Sequence, residues 1–150
     1  MKLIADGMLG RLARWLRILG YDTLYAPAWE DNELVRRARA EGRLLLTRDT
    51  ALAQRRGIQS LLVEAQTLPA QLREVVDKLG LQAESLFSRC SLCNLPLEGI
   101  SKDAAQSRVP PYVFATQEHF HRCPGCGRIY WRGTHWQGMR KLLDEIAHDR

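Results

Sequence analysis

The sequence predicts an α/β fold: a parallel sheet flanked by helices, followed by a small four-cysteine module and a closing helix. Three observations predict it. Short apolar runs alternate with helical periods up to about Leu79, and such alternation builds a parallel sheet covered by helices. From Cys90 to Trp131 no long helical period occurs, and Pro96, Gly99, Pro110, Pro111, Pro124, Gly125 and Gly127 punctuate the chain. All four cysteines fall inside that stretch, as two Cys-x-x-Cys pairs. The expected units are residues 1–85 and 86–150.

Each element has its own signal. Lys2 to Ala5 is a short apolar run broken by Asp6-Gly7, which predicts a buried strand. Met8 to Leu19 predicts a helix, because Leu9, Leu12, Trp15, Leu16 and Leu19 recur at helical spacing and Gly20 follows as a stop. Asp22 to Tyr25 predicts a strand that Pro27 ends. Asp31 to Glu41 predicts a helix with Leu34, Val35 and Ala38 on one face and Gly42 as its stop. Leu44 to Leu46 predicts a strand closed by Thr47-Arg48-Asp49. A short helix over Ala51 to Arg56, a strand over Ile58 to Val63 and a helix over Pro69 to Leu79 complete the alternation. The closing helix is expected over Trp136 to Ala147, through Met139, Leu142, Leu143 and Ile146.

Composition excludes several classes. The 150 residues are 45% hydrophobic and 26% charged, ordinary usage for a folded domain. No apolar run approaches the roughly 20 residues a membrane helix needs, and Asp6 arrives too early for a signal peptide. The expected compartment is the cytoplasm, with no membrane partner. The net charge of +5 comes from 22 basic and 17 acidic residues, and only Lys2, Lys78, Lys102 and Lys141 are lysine. Arginine suits planar phosphate contacts, although an arginine-rich codon bias gives the same composition.

Ligands of an open parallel sheet bind outside the carboxyl ends of its strands. Asp6 follows the first strand and Asp49 the third. Asp31 and Glu33 open the helix after the second strand, so four carboxylates converge on one rim. Clustered carboxylates repel unless a cation lies between them, and hard oxygen donors suit Mg²⁺ or Mn²⁺. That pattern points to phosphodiester hydrolysis. The plainer reading is helix capping by Asp31 and Asp49, with Glu33 a first-turn carboxylate. Arg11, Arg14 and Arg17 recur every third residue on the first helix, where they form a candidate phosphate-contacting face or an ordinary solvated one.

Cys90, Cys93, Cys123 and Cys126 flank a loop spanning residues 94–122. Four thiolates in two such turns fill the tetrahedral shell of a structural Zn²⁺ and leave no open position. Iron–sulfur binding and redox thiols are the lesser alternatives. His119 and His121 lie near enough to compete as ligands but are not needed. Arg128, Arg132 and Lys141 are candidate nucleic-acid contacts, while Tyr130, Trp131 and Trp136 suit either base stacking or the core of the small module.

These residues bear a resemblance. Asp6, Asp31-x-Glu33 and Thr47-x-Asp49 resemble the PIN-like nuclease domain. The opening Asp6-Gly7-Met8-Leu9-Gly10-Arg11-Leu12-Ala13-Arg14-Trp15-Leu16-Arg17 is more specific. With Leu44-Leu45-Leu46-Thr47-Arg48-Asp49, Arg108-Val109-Pro110-Pro111-Tyr112 and Cys123-Pro124-Gly125-Cys126-Gly127-Arg128-Ile129-Tyr130-Trp131, it is similar to the Mut-seven C-terminal RNase family. That family joins a PIN-like domain to a zinc ribbon, and the similarity runs from Lys2 to about Met139. It implies a divalent-metal-dependent ribonuclease acting on RNA. Mg²⁺ or Mn²⁺ would be held by Asp6, Asp49 and one or both of Asp31 and Glu33, with Thr47 orienting a carboxylate or water. PIN sites often carry a further acid downstream, and Glu64 is the residue here that could fill it. The alternative is a non-catalytic RNA- or ribosome-binding zinc-ribbon module whose acids only cap helices.

Overall fold

The structure is a computed structural model that describes residues 1–82 and 86–148. Four strands form the first sheet: β1 (Lys2–Ala5), β2 (Asp22–Tyr25), β3 (Leu44–Thr47) and β4 (Ser60–Leu62). Their order is β2-β1-β3-β4, and all pairs are parallel. Parallel neighbours need crossover connections, which the helices supply. These are α1 (Gly10–Ile18), α2 (Asp31–Glu41) and α3 (Thr50–Ala53), with α4 (Leu68–Leu79) following β4. Gly42 and Gly80 end α2 and α4 in the left-handed conformation, at φ 65° and 63°.

Alternation along the strands divides the core into two layers. Leu3 and Ala5 of β1 and Leu46 of β3 join Leu12 and Leu16 of α1 and Leu72, Val75 and Val76 of α4. Ile4 and Leu45 point the other way, into Leu34, Val35 and Ala38 of α2 and Leu52 of α3. Each buried leucine contributes about 1.5–3 kcal/mol relative to exposure.

The first helix differs from its expected start. Residues Gly7–Leu9 form a 3-10 turn, capped by Asp6, whose Oδ1 accepts the Met8 N–H at 3.0 Å. The α-helix proper begins at Gly10. The other boundaries shift by a few residues at most: the helix expected to reach Arg56 ends at Ala53, and the fourth strand shortens to Ser60–Leu62.

The small module is a three-stranded antiparallel sheet in the order β5-β6-β7: β5 (Glu98–Ile100), β6 (Phe120–Arg122) and β7 (Ile129–Tyr130). Two short helices, α5 (Lys102–Ala105) and α6 (Pro111–Thr116), interrupt the loop between β5 and β6. Ala105, Val113 and Phe120 form its own small core, with Ile129 and Trp131 packed against them. The closing helix α7 (Thr134–His148) does not extend that core. Its Met139, Leu143 and Ile146 enter the layer that contains α1 and α4. The expected boundary after residue 85 adjoins residues 83–85, which lie outside the described residues.

A buried polar seam joins the two parts. Arg17, only 6% exposed, donates Nε to the Thr23 carbonyl at 2.8 Å. Its Nη1 reaches the Ser91 and Leu92 carbonyls at 3.0 and 3.2 Å, inside the first cysteine turn. Asn94 sits at φ 63° and accepts the Thr23 N–H at 2.9 Å. Its amide donates to Asp22 Oδ1 at 2.7 Å, and Arg43 Nη1 donates to the same oxygen at 2.8 Å. Burial pushes the Asp22 carboxyl up, but the bonds from Arg43 and Asn94 hold it below the ordinary carboxylate value.

Asn94→Ala should therefore cost about 2–4 kcal/mol, combining the lost buried hydrogen bonds with left-handed strain. Asn94→Gly removes the bonds but not the backbone freedom, and should cost roughly 1 kcal/mol less. Urea denaturation of both variants checks the order, and equal losses would remove backbone strain from the account.

Candidate acidic site and four-cysteine centre

The acidic site begins with strand pairing. Ala5 lies opposite Leu46 in the parallel register, so Asp6 and Thr47 emerge side by side at the carboxyl edge. The Asp6 N–H continues the ladder to the Leu46 carbonyl at 3.1 Å. Both side chains are buried. The Thr47 hydroxyl donates to Asp6 Oδ2 and accepts the Asp49 N–H at 2.9 Å. One hydroxyl thus ties the first acid to the backbone of the third-strand acid. Asp49 itself is exposed, and its Oδ1 accepts the Ala51 and Leu52 N–H groups at 2.9 and 3.2 Å, capping α3.

The two helical acids differ from each other. Asp31 is the first residue of α2, whose N-cap is Glu30, so Asp31 is not the cap. It is exposed, and its side chain makes no hydrogen bond or ion pair to a described residue. Glu33 is bound by Arg36 at 2.6 Å and by Arg37 at 2.8 Å, the i+3 and i+4 partners on the same helix. The bonds from Arg36 and Arg37 hold its carboxyl down at about 2. Arg37 in turn stacks on Trp29, 4.1 Å from the ring centroid. The Glu33-x-x-Arg36-Arg37 spacing carries that pairing in the sequence, where it went unread. Glu64 is exposed beyond β4, and its N–H is held by the Glu74 carboxylate at 3.0 Å. Glu74, half-buried and also bonded to the Ala65 N–H at 2.9 Å, is a shaping residue of this edge that sequence reasoning missed.

The cysteines converge. The Sγ atoms of Cys90, Cys93, Cys123 and Cys126 all lie within 4.8 Å of one another. The Cys90–Cys126 separation is 3.8 Å, about the edge of a tetrahedron with Zn–S bonds of roughly 2.3 Å. Among the described residues this is the one set of three or more cysteine, histidine or acidic groups so close together. His119 and His121 are exposed and outside it. Polar groups around the sulfurs complete the centre. The Tyr130 hydroxyl donates to Cys90 Sγ at 3.1 Å, Cys93 N–H to Cys90 Sγ at 3.4 Å and Gly125 N–H to Cys123 Sγ at 3.3 Å. Burial opposes ionisation of Cys90, yet the Tyr130 bond and the turn's N–H groups bring its thiol down to about 7. Four clustered thiols with such donors can bind zinc.

The profile of the Mut7-C RNAse domain matches residues 1–143. The chain belongs to the Mut7-C RNase domain family. That membership implies a ribonuclease, and hence an RNA substrate. No curated protein and no solved structure is significantly similar to the chain.

Within this Mut7-C domain the expected basic face of α1 is incomplete. Arg11 and Arg14 are exposed, but Arg17 is buried in the seam. The physical reason is the drift of a three-residue spacing, which falls back about 60° per step on a helix of 3.6 residues per turn. Arg17 is therefore a structural residue, not a free phosphate contact. Arg128, Arg132 and Lys141 are exposed, with Arg132 lying 5.1 Å from the Trp136 ring centroid. Among the described residues no helix is long and apolar enough to cross a membrane.

Protein purified without added metal is expected to carry about one zinc per chain by elemental analysis. Tyr130→Phe should weaken zinc binding by roughly 10- to 100-fold in competition with a chromophoric chelator. Unaltered affinity would mean that the Tyr130 bond contributes nothing to the centre.

Proposed function

We propose that the chain is a divalent-metal-dependent ribonuclease whose acidic site consists of Asp6, Asp49 and Asp31, with Thr47 as their organiser. The observation that carries this reading is the Asp6–Thr47–Asp49 relay at the carboxyl edge of the sheet. A carboxylate that only capped a turn would not need burial or a second donor from a neighbouring strand.

The oxygen donors suit Mg²⁺ or Mn²⁺ by type. Among the described residues no three carboxylates lie within 4.8 Å of one another, so the expected convergence of four acids is looser than the sequence implied and the site would close on the ion as it binds. Asp49 uses Oδ1 for the helix cap and leaves Oδ2 for a ligand. Each Asp6 oxygen accepts one hydrogen bond and keeps a second lone pair. Mg²⁺ or Mn²⁺ held here supplies positive charge to the transition state and acidifies water. Thr47 fixes the rotamer of Asp6, and the cap fixes that of Asp49. Asp31 is assigned as the helical acid in preference to Glu33, because Glu33 is already neutralised by two arginines. Arg11 and Arg14 lie on the helix that starts beside Asp6 and would meet substrate phosphates. Glu64 is left outside the site.

The four-cysteine centre holds a structural zinc in this reading, since its thiolates fill the tetrahedral shell. Residues 1–85 form the PIN-like unit, and residues 86–150 the zinc ribbon with its closing helix, which returns to pack on the first unit. The non-catalytic RNA-binding alternative has one observation in its favour: Asp6 and Asp49 both cap local structure.

Asp49→Asn separates the two readings, because asparagine caps about as well as aspartate. Cleavage of single-stranded RNA with Mn²⁺ should fall by at least about a hundredfold while the melting temperature holds. Asp31→Asn should lose activity in the same assay, whereas Glu33→Gln should retain most of it. A variant at Asp49 that cleaves at the wild-type rate removes that residue from the site. Wild-type protein that binds RNA but cleaves it with no divalent ion establishes the binding-module reading instead.

A further inference from the structure

A cleft of about 380 Å³ opens beside Asp6 on the α1 and α4 side of the sheet edge. Gly7 and Met8, which immediately follow Asp6, form one wall, and the loop that leads into α4 forms the other. The floor is apolar: Leu9, Leu12 and Leu68, with the Tyr25 ring. Tyr25 ends β2 directly beside Ala5 of β1, so its ring comes from the same carboxyl edge. Its hydroxyl donates to the Gly7 carbonyl at 3.2 Å. Gly10 makes this placement possible. A Cβ there would lie 2.6 Å from the Tyr25 hydroxyl oxygen.

The rim is polar and unspent. Gln66 is exposed and makes no hydrogen bond to a described residue. Gln71 donates Nε2 to the Ala65 carbonyl at 3.1 Å, which leaves its Oε1 able to accept. Arg11 stands exposed at the mouth, and Met8 is 72% exposed there. An apolar floor with a few convergent amide and cationic groups is the anatomy of a small-ligand site.

We infer that this cleft is a nucleobase subsite: it takes the base of one single-stranded RNA nucleotide whose neighbouring phosphate lies at Asp6. The inference rests on the nuclease reading above and extends it to substrate positioning. Three features favour a base over another ligand. The cleft adjoins the acidic edge, so a polymer held at Asp6 must place an adjacent nucleotide within reach. The thioether of Met8 and the face of Tyr25 offer polarisable apolar surface to a flat ring. The Gln66 amide offers a donor and an acceptor to a base edge, and Arg11 offers charge to the phosphate beyond. Asp31 and Asp49 belong to elements packed on the other side of the sheet, while the cleft lies on the α1 and α4 side. A strand bound at both would cross the carboxyl edge with its base turned away from a partner strand. Duplex RNA cannot do this without unpairing.

The test uses a short fluorescein-labelled single-stranded RNA with one abasic nucleotide placed at each position in turn. Binding is followed by anisotropy with no divalent ion added, so that zinc stays in place and cleavage is absent. Wild type should lose roughly tenfold in affinity at one position, the loss of one stacked base. A Met8→Ala/Gln66→Ala variant should bind the intact RNA roughly tenfold more weakly and should not register that abasic position. Thiouridine at the same position should photocrosslink to residues 7–12 or 66–71. A wild-type protein indifferent to every abasic position, or crosslinks confined to other segments, overturns the subsite. Cleavage in a parallel assay with Mn²⁺, beside binding that ignores every abasic position, overturns the subsite alone. Base-dependent binding without cleavage in any divalent ion overturns the nuclease reading alone. RNA that fails to bind overturns both.

Discussion

Parallel pairing of β1 with β3 is the constraint on which the acidic edge depends. The register Leu3–Leu44, Ile4–Leu45, Ala5–Leu46 sends alternate residues into two separate cores and delivers Asp6 beside Thr47. Side chains alternate with period two, so a slip of one residue would exchange the two faces and carry Ile4 into the layer built for Leu3 and Ala5. The hydrophobic pattern therefore fixes the position of a polar pair that contributes little to the core. Asp6 is costly to bury, and the cost is offset by two donors, the Met8 N–H and the Thr47 hydroxyl. Thr47 is equally satisfied, since its oxygen also accepts the Asp49 N–H.

The same connectivity sends the small module elsewhere. Helix α1 starts at the carboxyl edge and returns the chain to the opposite edge, where Ile18 precedes β2. The seam forms at that far end: Arg17 near the end of α1, Asp22 and Thr23 at the start of β2. The first cysteine turn is thus docked on the amino edge, a strand length away from Asp6. Its thiolates and the acidic carboxylates do not share a ligand sphere.

Much of the fold was legible because local signals agreed with one another. Short apolar runs, helical periods and glycine stops all pointed to the same alternation, and the four-cysteine spacing marked the change of architecture. The placement of Asp6, Thr47 and Asp49 together at one edge was legible, because strand ends in a parallel sheet share an edge. The remainder depended on long-range pairing that spacing does not encode. Asn94 bonds Thr23 and Asp22 some 71 and 72 positions away, and Arg17 bonds Ser91 and Leu92 some 74 and 75 away. Tyr130 was readable as an aromatic of the small module, but its bond to Cys90 across 40 positions was not. Glu33 is the opposite case: its partners are three and four residues on, a local signal outweighed by the search for clustered acids.

Separating the two donor sets has a chemical consequence. First-row sites bind zinc more tightly than manganese, and hard oxygen sites discriminate poorly between divalent ions by affinity alone. A chain that works with Mg²⁺ or Mn²⁺ at carboxylates and with zinc at thiolates must keep the ions apart by ligand type. Here the soft ligands form a closed set of four, with Tyr130 and backbone N–H groups already aimed at the sulfurs. The carboxylates at the other edge form no comparable set: among the described residues no three acidic groups come within 4.8 Å of one another. In the proposed reading, zinc would meet its preferred donors at one end of the sheet, and the oxygen-only edge would be left to a hard cation. Under that proposal an open edge serves turnover, because an edge open enough to exchange its cation is also open enough to admit and release a phosphodiester.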